Sequence, residues 1–443
     1  MYSFINQYIN PLFAKFNKSK IRRLSKEGAI ILLGQVNSIL TSLVLVRLLT
    51  ETLLPAEYGK LSLALSVGPF VCQIAFAVSM PGIGRYFALA IERVKQYEFY
   101  KASMQMMLYS TIISITLIFI LLFGYEYFEI TNMKVIVTMS ILYLIISNYN
   151  TIFTEFQNVA RQRHIAVFHS FLDSWLKIGL VFLLVHFFFN NAETILTAYI
   201  FSLVIVLVSQ KYFLRKVIPI DDFSSTEVKK WKKKVFYFSR PFLWFNIFTG
   251  LQSIGDKWSL AYFTNKSNVG FYTPLTQLGY TPLLMIAGLT TTLIGPILFM
   301  KSGDGTDSER NSNVKKITIL LAGVAIAITF LCFLVTLFFH KMIFNIFVAK
   351  EYHQVSHLLP WMVISGGLFS TAQIFSLKLM SDLKTKALIL PKIISSLLGV
   401  GLSILGAYYG GINGIVIASV TFSLLQFIWL GIVSLKTNNN PAN

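Results

Sequence analysis

Long apolar runs alternate with short polar joints along this chain. The runs are about twenty residues each, too long and too uniform for half-buried helices, and they match a hydrocarbon core about 30 Å thick at 1.5 Å of rise per helical residue. None alternates as a barrel strand does, and in lipid only helices or closed barrels satisfy every backbone group, so the pattern predicts transmembrane helices. They fall near residues 27–49, 60–88, 104–124, 134–156, 165–189 and 193–213, then 236–262, 271–300, 316–339, 356–379, 387–409 and 412–435. The expected fold class is an all-α polytopic membrane protein of about twelve transmembrane helices.

Six runs return the chain to its starting side, so related halves would repeat in parallel about an axis along the membrane normal. The joint after the first run reads PAEYGKLSLAL and that after the seventh KSNVGFYTPLTQL, which aligns Gly59 with Gly270. Run two carries Pro69, Pro81, Gly82 and Gly84, and run eight carries Pro274, Gly279, Pro282, Gly288, Gly295 and Pro296. Helices interrupted at matching places in two halves point to a transporter's binding site, although proline and glycine are also common in membrane helices generally. This reading gives an N-terminal basic segment over 1–26, a six-helix lobe over 27–214, a basic linker over 215–235, a second lobe over 236–435 and a tail over 436–443.

Composition agrees: the 443 residues are 55% hydrophobic, and the formal net charge is +19. The cations gather on one side, at Lys15 to Lys26, Arg93, Lys95 and Lys101, Arg161 and Arg163, Lys211 to Arg240, Lys301 to Lys316, Lys384, Lys386 and Lys436. The opposite joints carry Glu51, Glu57, Glu126, Glu129 and Glu193. This positive-inside asymmetry predicts two cytosolic ends. The run Lys229 to Lys234 lies in the longest cytosolic joint and reads as contact with anionic lipid, with no nucleic acid expected. The basic lead has no small-residue cleavage site after the first run, and reads as an interfacial segment instead of a signal peptide.

Enzyme signatures are missing. There is no G-x-x-x-x-G-K-[ST] loop, no H-E-x-x-H and no paired CxxC, and the acidic-side joints offer little room for the catalytic site of a glycan polymerase or ligase. His353 and His357 lie at i,i+4 beside Glu351 but lack a third ligand, so neither metal nor cofactor is expected.

Charges inside the runs carry more information, because each costs about 2.5–3.5 kcal/mol at mid-bilayer and needs a partner or a wet cavity. On run five, His169, Asp173 and Lys177 at i, i+4 and i+8 form one polar stripe, either lining a cavity or satisfied by an Asp173–Lys177 pair. Arg85 follows the Pro81-Gly82 break, where a restarted helix and a guanidinium would seat a phosphate, or where the arginine would snorkel to headgroups. On run seven, Gln252 and Asp256 share one face while Asn246, Ser253 and Lys257 occupy its neighbour. Arg47, Lys378 and Lys392 sit near span ends, where snorkelling is the alternative to a cavity role. Several cations with few anions predict an anionic substrate.

The twelve runs, the basic face, the R-L-L…P-A-E-Y-G-K-L-S-L-A-L stretch and the D-K-W-S-L-A-Y-F…V-G-F-Y stretch resemble the Wzx-type polysaccharide flippases. These belong to the multidrug/oligosaccharidyl-lipid/polysaccharide (MOP) exporter superfamily. The resemblance implies a V-shaped, two-lobed transporter in the bacterial inner membrane that flips an undecaprenyl-pyrophosphate-linked oligosaccharide by alternating access. It implies a polysaccharide polymerase and chain-length regulator as partners. Candidate cavity residues are Arg85, Lys177, Lys257, Asn246, Arg47 and Lys378, and coupling to H+ or Na+ would fall to His169, Asp173 or Asp256. A small-molecule exporter of the same superfamily and an integral polymerase are the alternatives.

Overall fold

In hydrocarbon each apolar run must pair its own backbone groups, and each winds as a helix. The computed structural model describes residues 18–125, 133–160, 162–216, 218, 222–302, 308–381 and 386–436. The lead over 1–17, Glu126, Glu129, Arg161, Lys384 and the tail beyond 436 lie outside them. The first half contains α1 (Lys18–Thr52), α2 (Pro55–Phe76), α3 (Met80–Glu92), α4 (Gln96–Tyr125), α5 (Lys134–Val159), α6 (Arg163–Phe187) and α7 (Ala192–Arg215). After the connecting helix α8 (Ser225–Ser239) come α9 (Phe242–Phe263), α10 (Lys266–Leu275), a π-turn (Thr276–Tyr280), α11 (Thr281–Ser302), α12 (Ser308–Phe347), a 3-10 turn (Lys350–Leu358), α13 (Leu359–Ser381) and α14 (Lys386–Lys436). The described residues contain no strand.

Among the described residues, ten helical segments are long and apolar enough to cross a membrane. One of them, Leu390–Lys436, has 47 residues, about 70 Å of helix and more than twice the core thickness. It is a hairpin. Gly411 leaves helical geometry at φ 53°, and Gly406 and Gly414 pack backbone to backbone, which a straight helix forbids at that separation. Counting that segment twice and adding α9 gives the twelve crossings expected.

Several helices run past their expected ends, the eighth run is broken into α10, the π-turn and α11, and prolines explain two further departures. The second run, expected as one helix over 60–88, turns at Ala77–Ser79, because Pro81 has no N–H for the Ala77 carbonyl. The seventh, expected from 236, begins at Phe242; α8 stops at Ser239 because Pro241 likewise cannot bond the Tyr237 carbonyl.

In the amino-terminal lobe α1 packs on α6, α5 on α7 and α2 on α5; in the carboxy-terminal lobe α13 and α9 pack on α14, and α12 on α13. The lobes meet at a crossing of α2 and α10. There Gly59 lies against the Lys266 carbonyl and Gly270 against the Pro55 carbonyl, each contact closing on the residue four before the other glycine. A Cβ at either would collide with main chain. Three residues further along each helix, the Thr273 hydroxyl donates to Ser62 Oγ at 2.9 Å. Positions aligned between the halves thus touch each other, as a two-fold axis along the membrane normal requires.

Below this crossing α2 and α9 stay together: Trp258 Nε1 donates to Ser66 Oγ at 2.9 Å and Asn246 Nδ2 to the Gln73 carbonyl at 3.3 Å. At the acidic end a second set of bonds joins the lobes. Arg47 donates to the Val348 and Asn345 carbonyls at 2.7 and 3.2 Å. The Ala349 N–H donates to Thr50 Oγ1 at 3.1 Å, and the buried Tyr352 hydroxyl donates to the Leu53 carbonyl at 2.7 Å. Exposed Phe187, Phe188, Phe189, Tyr262, Tyr408 and Tyr409 ring this end, where amphipathic rings settle at a membrane interface.

Candidate functional site: paired cavities around Lys257

The site is built on α9 and the broken helix that follows it. Pro274 cannot bond the Gly270 carbonyl, and the chain rewinds through the π-turn, with the Thr281 N–H reaching the Thr276 carbonyl five residues back. The extra residue in that turn redirects side chains, and such turns recur at functional sites. Tyr272, Thr276 and Tyr280 line a cavity of about 350 Å³ inside the carboxy-terminal lobe, together with Asp256, Lys257 and Lys392. A second cavity of about 250 Å³, with Ser42, Tyr58, Ser62 and Tyr199 in its wall, lies between the lobes. Lys257 and Gln277 line both.

Neighbours in sequence, Asp256 and Lys257 project in different directions from α9. Asp256 Oδ2 accepts from the Tyr272 hydroxyl at 3.0 Å and Oδ1 from the Lys257 backbone N–H at 2.7 Å. The carboxylate is therefore engaged. The Lys257 ammonium forms no hydrogen bond or ion pair with any described residue. A half-buried cation without a hydrogen-bonded partner, shared by two cavities, is a seat for an anion.

The stripe on α6 behaves differently. Lys177 donates to Asp173 Oδ2 at 2.6 Å, Ser202 Oγ donates to Asp173 Oδ1 at 2.9 Å, and the ammonium stands 5.5 and 5.9 Å from the Tyr143 and Tyr199 ring centroids. Of this group only Tyr199 lines the inter-lobe cavity. His169 is fully buried between the Ile165 carbonyl at 2.9 Å from Nδ1 and Ser209 Oγ at 3.0 Å from Nε2. Since a carbonyl only accepts, Nδ1 carries the proton and Nε2 accepts from the serine. Both ring nitrogens are occupied, so the predicted stripe is divided: a closed histidine and a neutralised pair.

The other expected residues scatter. Arg85 is exposed and has no side-chain bond to a described residue, and the helix start beside it is already filled, with the Gly82 N–H donating to Ser239 Oγ at 2.8 Å. The expected phosphate seat is closed by α8. Arg47 does not snorkel to headgroups; its bonds to α12 carbonyls and an ion pair to Glu51 at 2.5 Å make it part of the acidic-end closure. Asn246 joins α9 to α2, and Lys378, 1% exposed, is buried in the last turns of α13 outside the two cavity walls. His353 and His357 each turn to a backbone carbonyl, and no group of three potential metal ligands occurs among the described residues.

No family model matches the sequence, and no curated protein matches it either. Solved structures do match in three dimensions. One is the lipid II flippase MurJ in an inward closed conformation, at a TM-score of 0.67 and 12% identity over 93% of this chain and 87% of that one. Another is the MATE multidrug transporter DinF-BH, at 0.66 and 15% identity over 94% and 95% of the two chains. A third is a MOP superfamily transporter from Pyrococcus furiosus, whose structure is described as having a binding pocket of reverse polarity, at 0.59 and 16% over 95% and 96%. The chain has the MOP transporter fold. At these identities the likeness speaks to architecture, and the charge arrangement above is a property of this chain.

Within the MOP fold, the residues that sequence reasoning passed over are Tyr272, Thr276, Gln277 and Tyr280. Tyr272, Thr276 and Tyr280 recur at i, i+4 and i+8, the same spacing that drew attention to His169, Asp173 and Lys177. The signal lies in neutral polar side chains at helical spacing, which carry no charge to mark them.

Proposed function

We propose that this protein flips an undecaprenyl-pyrophosphate-linked oligosaccharide repeat unit from the cytosolic to the outer leaflet of a bacterial inner membrane by alternating access. The observation that carries the reading is the unpaired Lys257 ammonium at the junction of the two cavities. An anionic pyrophosphate would take that cation as its partner, and Ser62, Gln277 and Tyr199 would surround it with hydrogen-bond groups. The fold is shared with a lipid II flippase and with multidrug transporters, so the sign of the free charge discriminates between cargoes. The cavities are at or below the lower end of the range for drug-sized ligands; a glycan of several sugars enters only as the lobes separate.

Carrying a negative charge outward across an inside-negative potential is favourable by about 2.3 kcal/mol per charge per 100 mV. The empty cationic site returns inward down the same potential, and protonation or Na+ binding at Asp256 or Asp173 would couple that return to an inward ion gradient. His169 is a poorer candidate, since both its nitrogens are bonded. In this reading both termini are cytosolic, the lobes span 27–214 and 236–435 about the 215–235 linker, the protein is no enzyme, and a polymerase with its chain-length regulator consumes the flipped unit. The second reading, export of an organic cation, draws on the aromatic wall of Tyr280, Phe369 and Phe422 near Asp256.

Deleting the gene and locating the lipid-linked unit separates the two. The flippase reading expects it to accumulate in the cytosolic leaflet. Unchanged delivery to the outer leaflet in a strain with no redundant exporter, together with increased sensitivity to cationic drugs, would establish the second reading instead.

A further inference from the structure

At the basic end, away from both cavities, a third cavity of about 340 Å³ forms where the turn between α3 and α4 meets α8. Its walls bring four cations, Arg93, Lys95, Lys230 and Lys234, to a single carboxylate, Glu227. Glu227 is fully engaged: Oε1 accepts from Lys230 at 2.7 Å and Oε2 pairs with Lys95 at 3.0 Å. The side chains of Arg93 and Lys234 have no hydrogen bond or ion pair among the described residues, and Lys234 rests 4.9 Å from the Trp231 ring centroid. Two positive charges from different elements therefore face one space without an anion.

The rim of this cavity is unusual for a surface in water. Val94 lies between Arg93 and Lys95 at φ 55° and is 85% exposed. A β-branched residue is strained there, and the strain holds an apolar tip outward between two cations. Near it Phe223 is exposed and packs edge-on against Tyr97 at 6.3 Å, and Tyr237 is exposed one turn beyond Lys234 on α8. Aromatic and apolar side chains interleaved with cations are the composition of a surface at headgroup depth.

We propose that this cavity binds the phosphodiester of an anionic membrane lipid, its charge shared between Arg93 and Lys234 and its acyl chains lying along the exposed rings. The bound lipid bridges the α3–α4 turn and α8, and so fastens the helix that connects the lobes to the amino-terminal one. Inorganic phosphate offers the same charge but gains nothing from the apolar rim.

The test is native mass spectrometry of the purified full-length chain in detergent, titrated with phosphatidylglycerol and with phosphatidylcholine. The wild type should retain phosphatidylglycerol preferentially. Each cation contributes about fivefold at an anionic headgroup, so Lys234→Gln should weaken retention about fivefold and Arg93→Gln/Lys234→Gln roughly twentyfold. Lys229→Gln/Lys232→Gln, which removes equal charge from α8 outside the cavity wall, should change it by no more than about twofold, since screening weakens charges that do not touch the headgroup. Wild-type retention in Arg93→Gln/Lys234→Gln would overturn the site. Equal losses in the two double variants would overturn it in favour of diffuse attraction, and displacement of the lipid by equimolar inorganic phosphate would assign the cavity to free phosphate.

Discussion

Each lobe places an acid and a base inside the membrane, and the spacing between them decides what becomes of the charge. On α6, Asp173 and Lys177 are four residues apart, share a face and close on each other at 2.6 Å. On α9, Asp256 and Lys257 are adjacent, project about 100° apart and form no side-chain hydrogen bond or ion pair with each other, although their charges interact. Asp256 turns to Tyr272, and Lys257 is left to the cavities. A neutralised pair is a structural element of its lobe; a separated one leaves a cation facing the cavities. The pairs stand on different crossings, the fifth of one lobe and the first of the other, so the contrast is one of local spacing.

Breaking the closed pair should have the largest effect. Asp173→Leu strands Lys177 among the rings of Tyr143 and Tyr199, and thermal unfolding in detergent should show a loss of about 3 kcal/mol, most of it restored in Asp173→Leu/Lys177→Met. Failure of the double variant to recover would mean that the pair does more than neutralise itself. Next in size is the converse change. Ser253→Asp puts an acid four residues before Lys257, reproducing the α6 spacing, and should lower transport about tenfold with membrane insertion unchanged, since a charged hydrogen bond of about 1.5 kcal/mol must then be broken to admit cargo.

The acidic-end closure gives a smaller effect. Arg47 is about a third exposed, so its bonds to the end of α12 are discounted to about 1 kcal/mol, and Arg47→Ala should raise the population open at that end about fivefold, read as faster labelling of a cysteine placed at the buried position 53. The smallest effect belongs to an ion pair in water. Hydrogen bonds from Lys230 and Lys95 hold the Glu227 carboxyl down to about 2 from an ordinary 4.5. The depressed value means stabilisation that is complete above pH 4.5 and lost as pH falls toward 2. Glu227→Gln should therefore unfold slightly below the wild type at about pH 6, and the difference should vanish at the acid limit.

Much of the architecture was legible in the chain because its causes are local. Run length identified the crossings, the Gly59 and Gly270 motifs marked positions that prove to touch, and Pro81 and Pro274 accompany breaks in their helices. The state of each charge was less legible, because it depends on partners far along the chain. Ser209 closes His169, Ser202 completes Asp173, and Arg47 binds main-chain carbonyls about 300 positions away, where no side-chain pattern can signal the contact. The spacing of Asp256 and Lys257 was visible, yet only Tyr272 approaching across α10 shows which member stays free.

The most direct measurement follows a fluorescent lipid-pyrophosphate oligosaccharide in proteoliposomes containing the wild type, Lys257→Gln, Lys257→Arg or Lys177→Gln. With Lys257 as the free cation, the account predicts that Lys257→Gln slows flipping at least about tenfold, Lys257→Arg keeps most of it, and Lys177→Gln lowers protein stability more than the rate per folded molecule. Wild-type flipping by Lys257→Gln, with the rate abolished in well-folded Lys177→Gln, would contradict it and move the anion seat to the amino-terminal lobe.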